Sequence, residues 1–532
     1  MASISTTQPS PAIEAALSPP QVLSVASPKM RDSIVSGMRW TFWLSAASVP
    51  FSFGTTVILA RISPEAIGTF GLLQIYIAIV SVFLFFGGNA VLIRFVPDLT
   101  PSDRVSFFLS YFLVNCIALL PWLAAATLWP VGLRYLFGEG HTGAFWIVLL
   151  YLSPLYILFS ASLAALKGML DLKWAQGLDR VVTIGSFAFY VLLYILAPTF
   201  LASHYTPIIW SVYLALVLLV TYVALSRFVS LNRAGHRSHI RLFLPTGFWR
   251  YTLGLQAGSF LGFFSGRLDY LLLLNIGGLA LLGKYVALMS LLLPITKVVS
   301  FFLDSLLPSL SNTLAHRDLH SSQEIAKICL RIVVPASLIM AGLLVFFAHP
   351  LTLLLGPKYL GLETLLWVAV PFAVVQGVGG ATGSILSAIG RSDYIAVTPA
   401  LRILLFLALF FPLWRSYQIL GAILTWGICE TFTHGLGLAF VLLKTPFRYN
   451  WLRTYWAALP VLLALPLLAS HVTSFYSLPL LFAAFLILIL GYFRLAGYSC
   501  NELRGLAQFI LPAGLHLPGF ASRNNGEIHA QR

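Results

Sequence analysis

Seven ionisable side chains lie within long apolar stretches of the sequence, and they are the groups best placed to do chemistry there: Arg267, Asp269, Lys297, Asp304, Arg402, Glu430 and His434. An ionisable group near the middle of a bilayer costs several kcal/mol, so each of these residues needs either a partner or a function. The sequence therefore points to charge that is carried or bound inside a membrane.

Glu430 and His434 are four residues apart, so they share one face of a helix. A carboxylate and an imidazole stacked in this way can pass a proton, which predicts a coupling role for both residues. A hydrogen-bonded pair that only stabilises helix packing is the alternative, and the sequence leaves it open.

Arg267 and Asp269 are two residues apart, so their side chains point in directions about 200° apart and cannot pair along one helix. An ion pair between Asp269 and Lys297 is the structural alternative to a functional role, and it would leave Arg267 free to bind an anion. Asp304 lies seven residues after Lys297, about 10.5 Å further along the same helix face, and either gates the inner end or caps a water-filled vestibule.

Arginines at the ends of apolar stretches complete the candidate site. Arg61 and Arg94 either extend to the membrane surface or face a central cavity, where a guanidinium could form paired hydrogen bonds to phosphate. The residues predicted to bind a pyrophosphate are Arg61, Arg94, Arg267, Lys297 and Arg402. The residues predicted to serve in coupling or gating are Asp269, Asp304, Glu430 and His434.

The composition provides the membrane scaffold that these side chains require. Of 532 residues, 59% are hydrophobic and only 9% are charged, against about 25% charged residues in soluble domains. This excludes soluble enzymes, disordered regulators and fibrous proteins. Apolar stretches of the length that crosses ~30 Å of hydrocarbon recur along the chain. The predicted spans are 39–60, 68–93, 105–129, 144–166, 180–197, 207–225, 251–274, 284–311, 328–348, 364–389, 394–414, 418–443, 455–470 and 477–494.

The basic residues orient these spans. With the N-terminus inside, 24 of the 32 Lys and Arg fall in inner segments, five fall in outer loops and three lie within spans. This asymmetry predicts that both termini are cytoplasmic. It also accounts for the net charge of +15 without a nucleic-acid partner.

An internal repeat divides the chain into two halves. Residues 162–180 align without gaps on 384–402, which pairs Arg180 with Arg402, and Gly68 aligns with Gly283. Both matches join turns on the same side, so the repeat is parallel, and it predicts that Arg180 and Arg402 converge on a central axis. The predicted divisions are a disordered cytoplasmic tail (1–32), a six-helix lobe (33–225), a basic cytoplasmic linker (226–250), a second six-helix lobe (251–443), two extra helices (444–496) and a cytoplasmic tail (497–532).

Several short motifs occur in the order of a known family. They lie at 57–74 (VILARISPEAIGTFGLLQ), 87–99 (GGNAVLIRFVPDL), 264–278, 283–294, 306–318, 355–371 and 385–393. Over roughly residues 33–445 the chain resembles the polysaccharide transporter (Wzx-type flippase) branch of the multidrug/oligosaccharidyl-lipid/polysaccharide exporter superfamily. The resemblance implies two six-helix lobes around a V-shaped cavity, two further helices, and alternating access that moves an undecaprenyl-pyrophosphate-linked oligosaccharide to the outer leaflet.

The expectation is therefore an all-α polytopic protein of about 14 transmembrane helices in a bacterial cytoplasmic membrane. It would flip a lipid-linked oligosaccharide for surface polysaccharide synthesis, in contact with membrane lipids and with a polysaccharide polymerase as a possible partner. The sequence has no GxxxxGK[ST] phosphate loop, which argues against an ATP-driven transporter with its motor in the same chain. No enzymatic activity, metal or cofactor is expected, because no loop carries a cluster of His and carboxylates and the four cysteines lack CxxC spacing. The alternatives are a cation-coupled multidrug exporter, a lipid II flippase and, last, a membrane-embedded polymerase or ligase.

Overall fold

The computed structural model describes residues 44, 47–128, 151–169, 171–232, 241–315, 319–389, 392–444, 451–470 and 478–499. Within these ranges every regular element is a helix. The helices are α1 (Ala47–Ile62), α2 (Pro64–Ile79), α3 (Gly88–Phe95), α4 (Pro101–Leu128), α5 (Ser153–Gly168), α6 (Leu172–Leu196), α7 (Pro198–Ser203), α8 (Tyr205–Leu231), α9 (Phe248–Ala315), α10 (Leu319–Phe346), α11 (Ala348–Leu355), α12 (Leu362–Ala388), α13 (Ser392–Tyr417), α14 (Ile419–Lys444), α15 (Trp451–Ser470) and α16 (Leu478–Ala496).

The fourteen predicted spans are helical over most of their described residues, which confirms the all-helical membrane fold, and the span 68–93 is the one with an interruption in its interior. The helices expose large apolar side chains on their outward faces, as lipid-facing helices do. Examples are Leu196, Tyr222, Leu404, Leu463 and Ile487.

Helix α9 is two antiparallel arms. Gly278 adopts φ 64° and ψ −162°, values outside the helical region, so the chain reverses there and separates a first arm (248–277) from a second arm (279–315). The rings of Tyr270 and Tyr285 lie 5.4 Å apart on the facing arms. The predicted spans 251–274 and 284–311 are these two arms.

The predicted span 68–93 is wrong as a single helix. Helix α2 passes into a π-helical turn (Val80–Leu84) and then stops, because Gly87 and Gly88 both adopt positive φ before α3 begins. Tyr111 of α4 donates a hydrogen bond to the carbonyl oxygens of Phe86 (2.6 Å) and Gly88 (2.9 Å), so the interrupted backbone is supported by a neighbouring helix.

Most contacts between helices lie within one half of the chain. Helix α8 packs against α5 and α6, whereas α12 packs against α10, α14 and α9, and the α15–α16 pair packs against α10. Helix α2 packs along α9 and joins the halves. The predicted linker is partly helical, because α8 continues to Leu231 and α9 begins at Phe248. The other predicted boundaries stay predictions; the N-terminal tail and residues 500–532 lie outside the described residues.

Candidate functional site

Glu430 is the centre of a buried polar cluster in the second half. Its side chain is 1% exposed and accepts hydrogen bonds from Arg402 Nη2 (2.6 Å), Gln376 Nε2 (2.9 Å) and His434 Nε2 (3.1 Å). These partners come from α13, α12 and from one turn further along α14. The i,i+4 contact predicted between Glu430 and His434 is therefore present, and Arg402 is the counter-ion of the carboxylate.

His434 packs against a glycine that leaves room for its ring. A Cβ atom at Gly379 of α12 would lie 2.0 Å from Cγ of His434, so no larger residue fits at position 379 while His434 stays in place. Nδ1 of His434 and Nε of Arg402 are buried without a hydrogen-bond partner among the described residues. The cluster thus holds unused hydrogen-bonding capacity inside the helix bundle.

Asp269 lies close to this cluster but has a different partner. Its carboxylate accepts hydrogen bonds from the Tyr285 hydroxyl (2.6 Å) and from the Tyr270 backbone N–H (2.9 Å). The positive charges of Arg267 and Arg402 also act on it. Asp269 is therefore held between two arms of α9 and next to the Glu430 cluster.

The alternative ion pair between Asp269 and Lys297 does not form, because Lys297 is exposed and lies too far along the second arm. Tyr285 and Asp269 flank the turn at Gly278, seven and nine residues away. Lys297 is 12 residues beyond Tyr285, which is about 18 Å along a helix.

Tyr285→Phe should destabilise the protein by about 1.5–3 kcal/mol, because a buried carboxylate loses a hydrogen bond and gains no water in exchange. Denaturant unfolding in mixed micelles measures the change. Tyr359→Phe is the matched control, since the Tyr359 hydroxyl is buried without a partner among the described residues. Equal stability of the two variants would show that the Tyr285–Asp269 bond contributes nothing.

Arg267 lines a cavity of about 440 Å³ between α2 and the first arm of α9. The lining residues are Gln74, Ile77, Ala78, Ser81, Val82, Gly262, Phe263, Gly266 and Arg267. The guanidinium lies over the Tyr270 ring, 4.9 Å from its centroid, which fixes its orientation. Of the residues predicted to bind pyrophosphate, Arg267 is the one that this cavity contains.

The cavity is bounded where α2 and α9 approach closely. A Cβ atom at Gly68 would lie 2.0 Å from the Leu279 carbonyl oxygen, and one at Gly283 would lie 1.8 Å from the Pro64 carbonyl oxygen. These repeat-related glycines thus bring the backbones of the two halves into direct contact. The basic-residue count predicts that this end of the bundle faces the outer side of the membrane.

Arg61 and Arg94 do not line the cavity. Arg61 Nε donates to the Leu354 carbonyl oxygen (2.9 Å), so it connects α1 to α11 at the same end as the glycine contact. Arg94 forms an exposed ion pair with Asp98 (2.9 Å) one turn along, which is the surface position expected of an arginine at a span end.

Two further predictions concern the pair Arg180 and Arg402 and the gating residue Asp304. Arg180 lies next to Asp179 (3.7 Å) on α6, and Arg402 bonds to Glu430 in the other half, so the convergence of Arg180 and Arg402 on a central axis stays a prediction. Asp304 lies in the second arm of α9, and its side chain falls outside the described residues.

The sequence-based reasoning missed the neutral partners. Gln376, Tyr285 and Gln74 carry no charge, so they do not stand out in an apolar stretch, although a glutamine within a span is itself a usable signal. Among the described residues, no three His, Cys, Asp or Glu side chains cluster as a metal site would require.

No family model matches the sequence, and no curated protein matches it. Solved structures do. An inward-facing multidrug resistance MATE family transporter of the MOP superfamily is 12% identical, with a TM-score of 0.60 over 76% of this chain and 98% of that one. Lipid II flippase MurJ in an inward closed conformation is 14% identical, with a TM-score of 0.56 over 89% and 99%.

A third similar structure is a MOP superfamily transporter from Pyrococcus furiosus, whose binding pocket is described as having reverse polarity. It is 15% identical, with a TM-score of 0.53 over 78% of this chain and 96% of that one. The chain therefore has the multi-pass membrane fold of these transporters.

Proposed function

We propose that this protein moves a polyprenyl-pyrophosphate-linked oligosaccharide across a bacterial cytoplasmic membrane by alternating access of its two halves. The observation that carries the proposal is Arg267, the charged residue among those lining the cavity between the halves. A guanidinium in this position suits an anionic headgroup, because it can bond to phosphate oxygens in pairs.

The buried carboxylates support an anionic rather than a cationic substrate. Glu430 is paired with Arg402, and Asp269 is bonded to Tyr285 while the charges of two arginines act on it. A cavity for organic cations would instead present unpaired carboxylates to the substrate. A cation-coupled multidrug exporter is the alternative, and the likeness to MATE transporters supports it.

A lipid II flippase is the nearer alternative, since it too would bind a polyprenyl-pyrophosphate. The likeness to MurJ covers 89% of this chain, whereas the likenesses to an inward-facing and an outward-facing MATE family transporter cover 76% and 79%. This longer match favours a lipid-linked substrate over a drug.

The remaining roles complete the proposal. Glu430 and His434, which are in contact, couple transport to a proton, with Asp269 and Asp304 as further coupling or gating groups. The termini lie in the cytoplasm, and a polysaccharide polymerase receives the flipped lipid on the outer side.

Arg267→Ala should lower the flipping rate by about ten- to a hundredfold, because charge-assisted hydrogen bonds to the pyrophosphate are lost. The measurement is a proteoliposome assay with a fluorescent polyprenyl-pyrophosphate sugar. Arg267→Lys should retain part of the activity, since the charge remains but the paired geometry does not.

Arg94→Ala is the control, because it removes an arginine from an exposed ion pair outside the cavity lining. Equal rates for wild type and Arg267→Ala would place the phosphate contact elsewhere. Efflux of a cationic dye by a wild-type protein that flips no lipid would favour the multidrug exporter.

A further inference from the structure

The interruption between α2 and α3 leaves backbone groups that need partners from outside their own helix. Asn115 of α4 accepts a hydrogen bond from Phe86 N (2.6 Å), and Tyr111 bonds to the carbonyls of Phe86 and Gly88. These partners belong to the same half of the chain. The Val82 carbonyl and the Gly87 N–H are not among the groups that they pair.

Gln256 of the first arm of α9 reaches across and bonds to both of these groups. Its Nε2 donates to the Val82 carbonyl oxygen, and its Oε1 accepts a hydrogen bond from Gly87 N (2.9 Å). The Gln256 side-chain amide thus donates one hydrogen bond to the interrupted helix and accepts another from it. Gly87 itself fits there because its φ is 68° and a Cβ would lie 2.9 Å from Thr252 Cγ2.

Aromatic packing surrounds this contact. Phe95 of α3 lies 5.8 Å from the Tyr251 ring and 6.4 Å from the Phe248 ring of α9. The contact lies at the opposite end of the cavity from the glycine contact of Gly68 and Gly283, and Val82 belongs to both the cavity lining and the bond to Gln256. The cavity is therefore bounded at both ends by contacts between α2–α3 and α9.

We propose that Gln256 is the latch of the inner gate: its side-chain amide, bonded to the broken end of α2, holds the cytoplasmic side of the cavity closed. The inference rests on the proposed transport function, since a gate implies a cycle. The glycine contact closes the outer end by shape alone, whereas the Gln256 contact closes the inner end by two hydrogen bonds.

The asymmetry has an energetic consequence. When the inner end opens, water takes over the bonds to the Val82 carbonyl and the Gly87 N–H, so both groups are paired in the open state whether or not residue 256 can bond. If the side chain at position 256 cannot form hydrogen bonds, the Val82 carbonyl and the Gly87 N–H are unpaired in the closed state but not in the open state. The closed state is then destabilised, and the population shifts toward the open state.

Cysteine accessibility tests the latch without any substrate. With the four native cysteines replaced, Ala78→Cys places one thiol in the cavity lining. An impermeant maleimide applied to the cytoplasmic side should label it on the order of tenfold faster in Gln256→Leu than in the parent, given two lost hydrogen bonds. Gln256→Asn, one methylene shorter, should also label faster.

Gln323→Leu is the matched control, because it makes the same substitution on α10, which carries no part of the contact. Its labelling rate should equal that of the parent, and size-exclusion profiles should show that all variants are folded. Labelling of Gln256→Leu at the parent rate would overturn the latch. Because labelling needs no lipid-linked sugar, this result is independent of whether the substrate proposal holds.

Discussion

Arg402→Met should lower the free energy of unfolding by about 3–5 kcal/mol, because it leaves the Glu430 carboxylate buried without its counter-ion. Glu430 is 1% exposed and Arg402 is 14% exposed, so water cannot replace the lost 2.6 Å contact. Gln376 and His434 still donate hydrogen bonds to the carboxylate, but these bonds are made in the wild-type protein as well and do not replace the guanidinium charge. Denaturant unfolding in mixed micelles gives the measurement.

Two further variants separate the charge from the packing. Arg402→Met combined with Glu430→Gln should recover most of the stability, because the buried charge is removed with its partner. Arg94→Met, which breaks an ion pair whose side chains are 51% and 61% exposed, should change stability by less than about 1 kcal/mol. A loss in Arg402→Met no larger than that in Arg94→Met would contradict the role assigned to the buried pair.

The helical scaffold could be predicted because the membrane imposes it. A span must be about 20 apolar residues long and must satisfy its own backbone, so length and hydropathy suffice to find the helices. The interruption of α2 could not be found in this way. Gly87 and Gly88 favour a break but do not require one, because glycine is also frequent in membrane helices, and the partners that stabilise the break come from residues 111, 115 and 256.

The charged residues of the site could be predicted from the sequence, whereas most of their hydrogen-bond and ion-pair partners could not. Glu430 and His434 are linked by helical spacing, which is local, and their contact is present. Arg402 pairs with Glu430, and Asp269 bonds to Tyr285. Each contact joins different helix segments, so the partners depend on how deep each residue lies in the bundle. The internal repeat predicts a meeting of Arg402 with Arg180, and it gives no indication that Glu430, an opposite charge, is the ion-pair partner of Arg402.

The repeat had a consequence that the sequence alone did not reveal. Gly68 and Gly283 were matched as equivalent positions of the two halves, and the structure places them against each other. Equivalent residues meet only next to the axis that relates two halves, so a match between small residues at such positions indicates a close crossing of helices. The alignment therefore identified both glycines, but not that they contact each other.

Gly283→Ala should abolish transport, reducing the flipping rate to the background of empty liposomes. The added Cβ would lie 1.8 Å from the Pro64 carbonyl oxygen and 2.9 Å from Gly68 N, and these are backbone atoms that cannot rotate away. The substitution excludes the state in which the outer end is closed and leaves the open state unhindered, so the cycle stops open to the outside. An Ala78→Cys thiol should then be labelled from the outer side at a raised rate.

Gly68→Ala tests the same contact from its other side and should give the same arrest, since its Cβ would lie 2.0 Å from the Leu279 carbonyl oxygen. Gly491→Ala in α16 is the matched control: nothing lies within 4 Å of its Cβ position, so only the gain in helix propensity remains, about 1 kcal/mol. Wild-type flipping by Gly283→Ala would mean that the halves never need to approach this closely. Arrest without a rise in outer labelling would mean that the substitution acts on something other than the outer closure. Arrest together with raised outer labelling in both Gly283→Ala and Gly68→Ala, but not in Gly491→Ala, is the result expected if two repeat-related glycines form the closed outer gate.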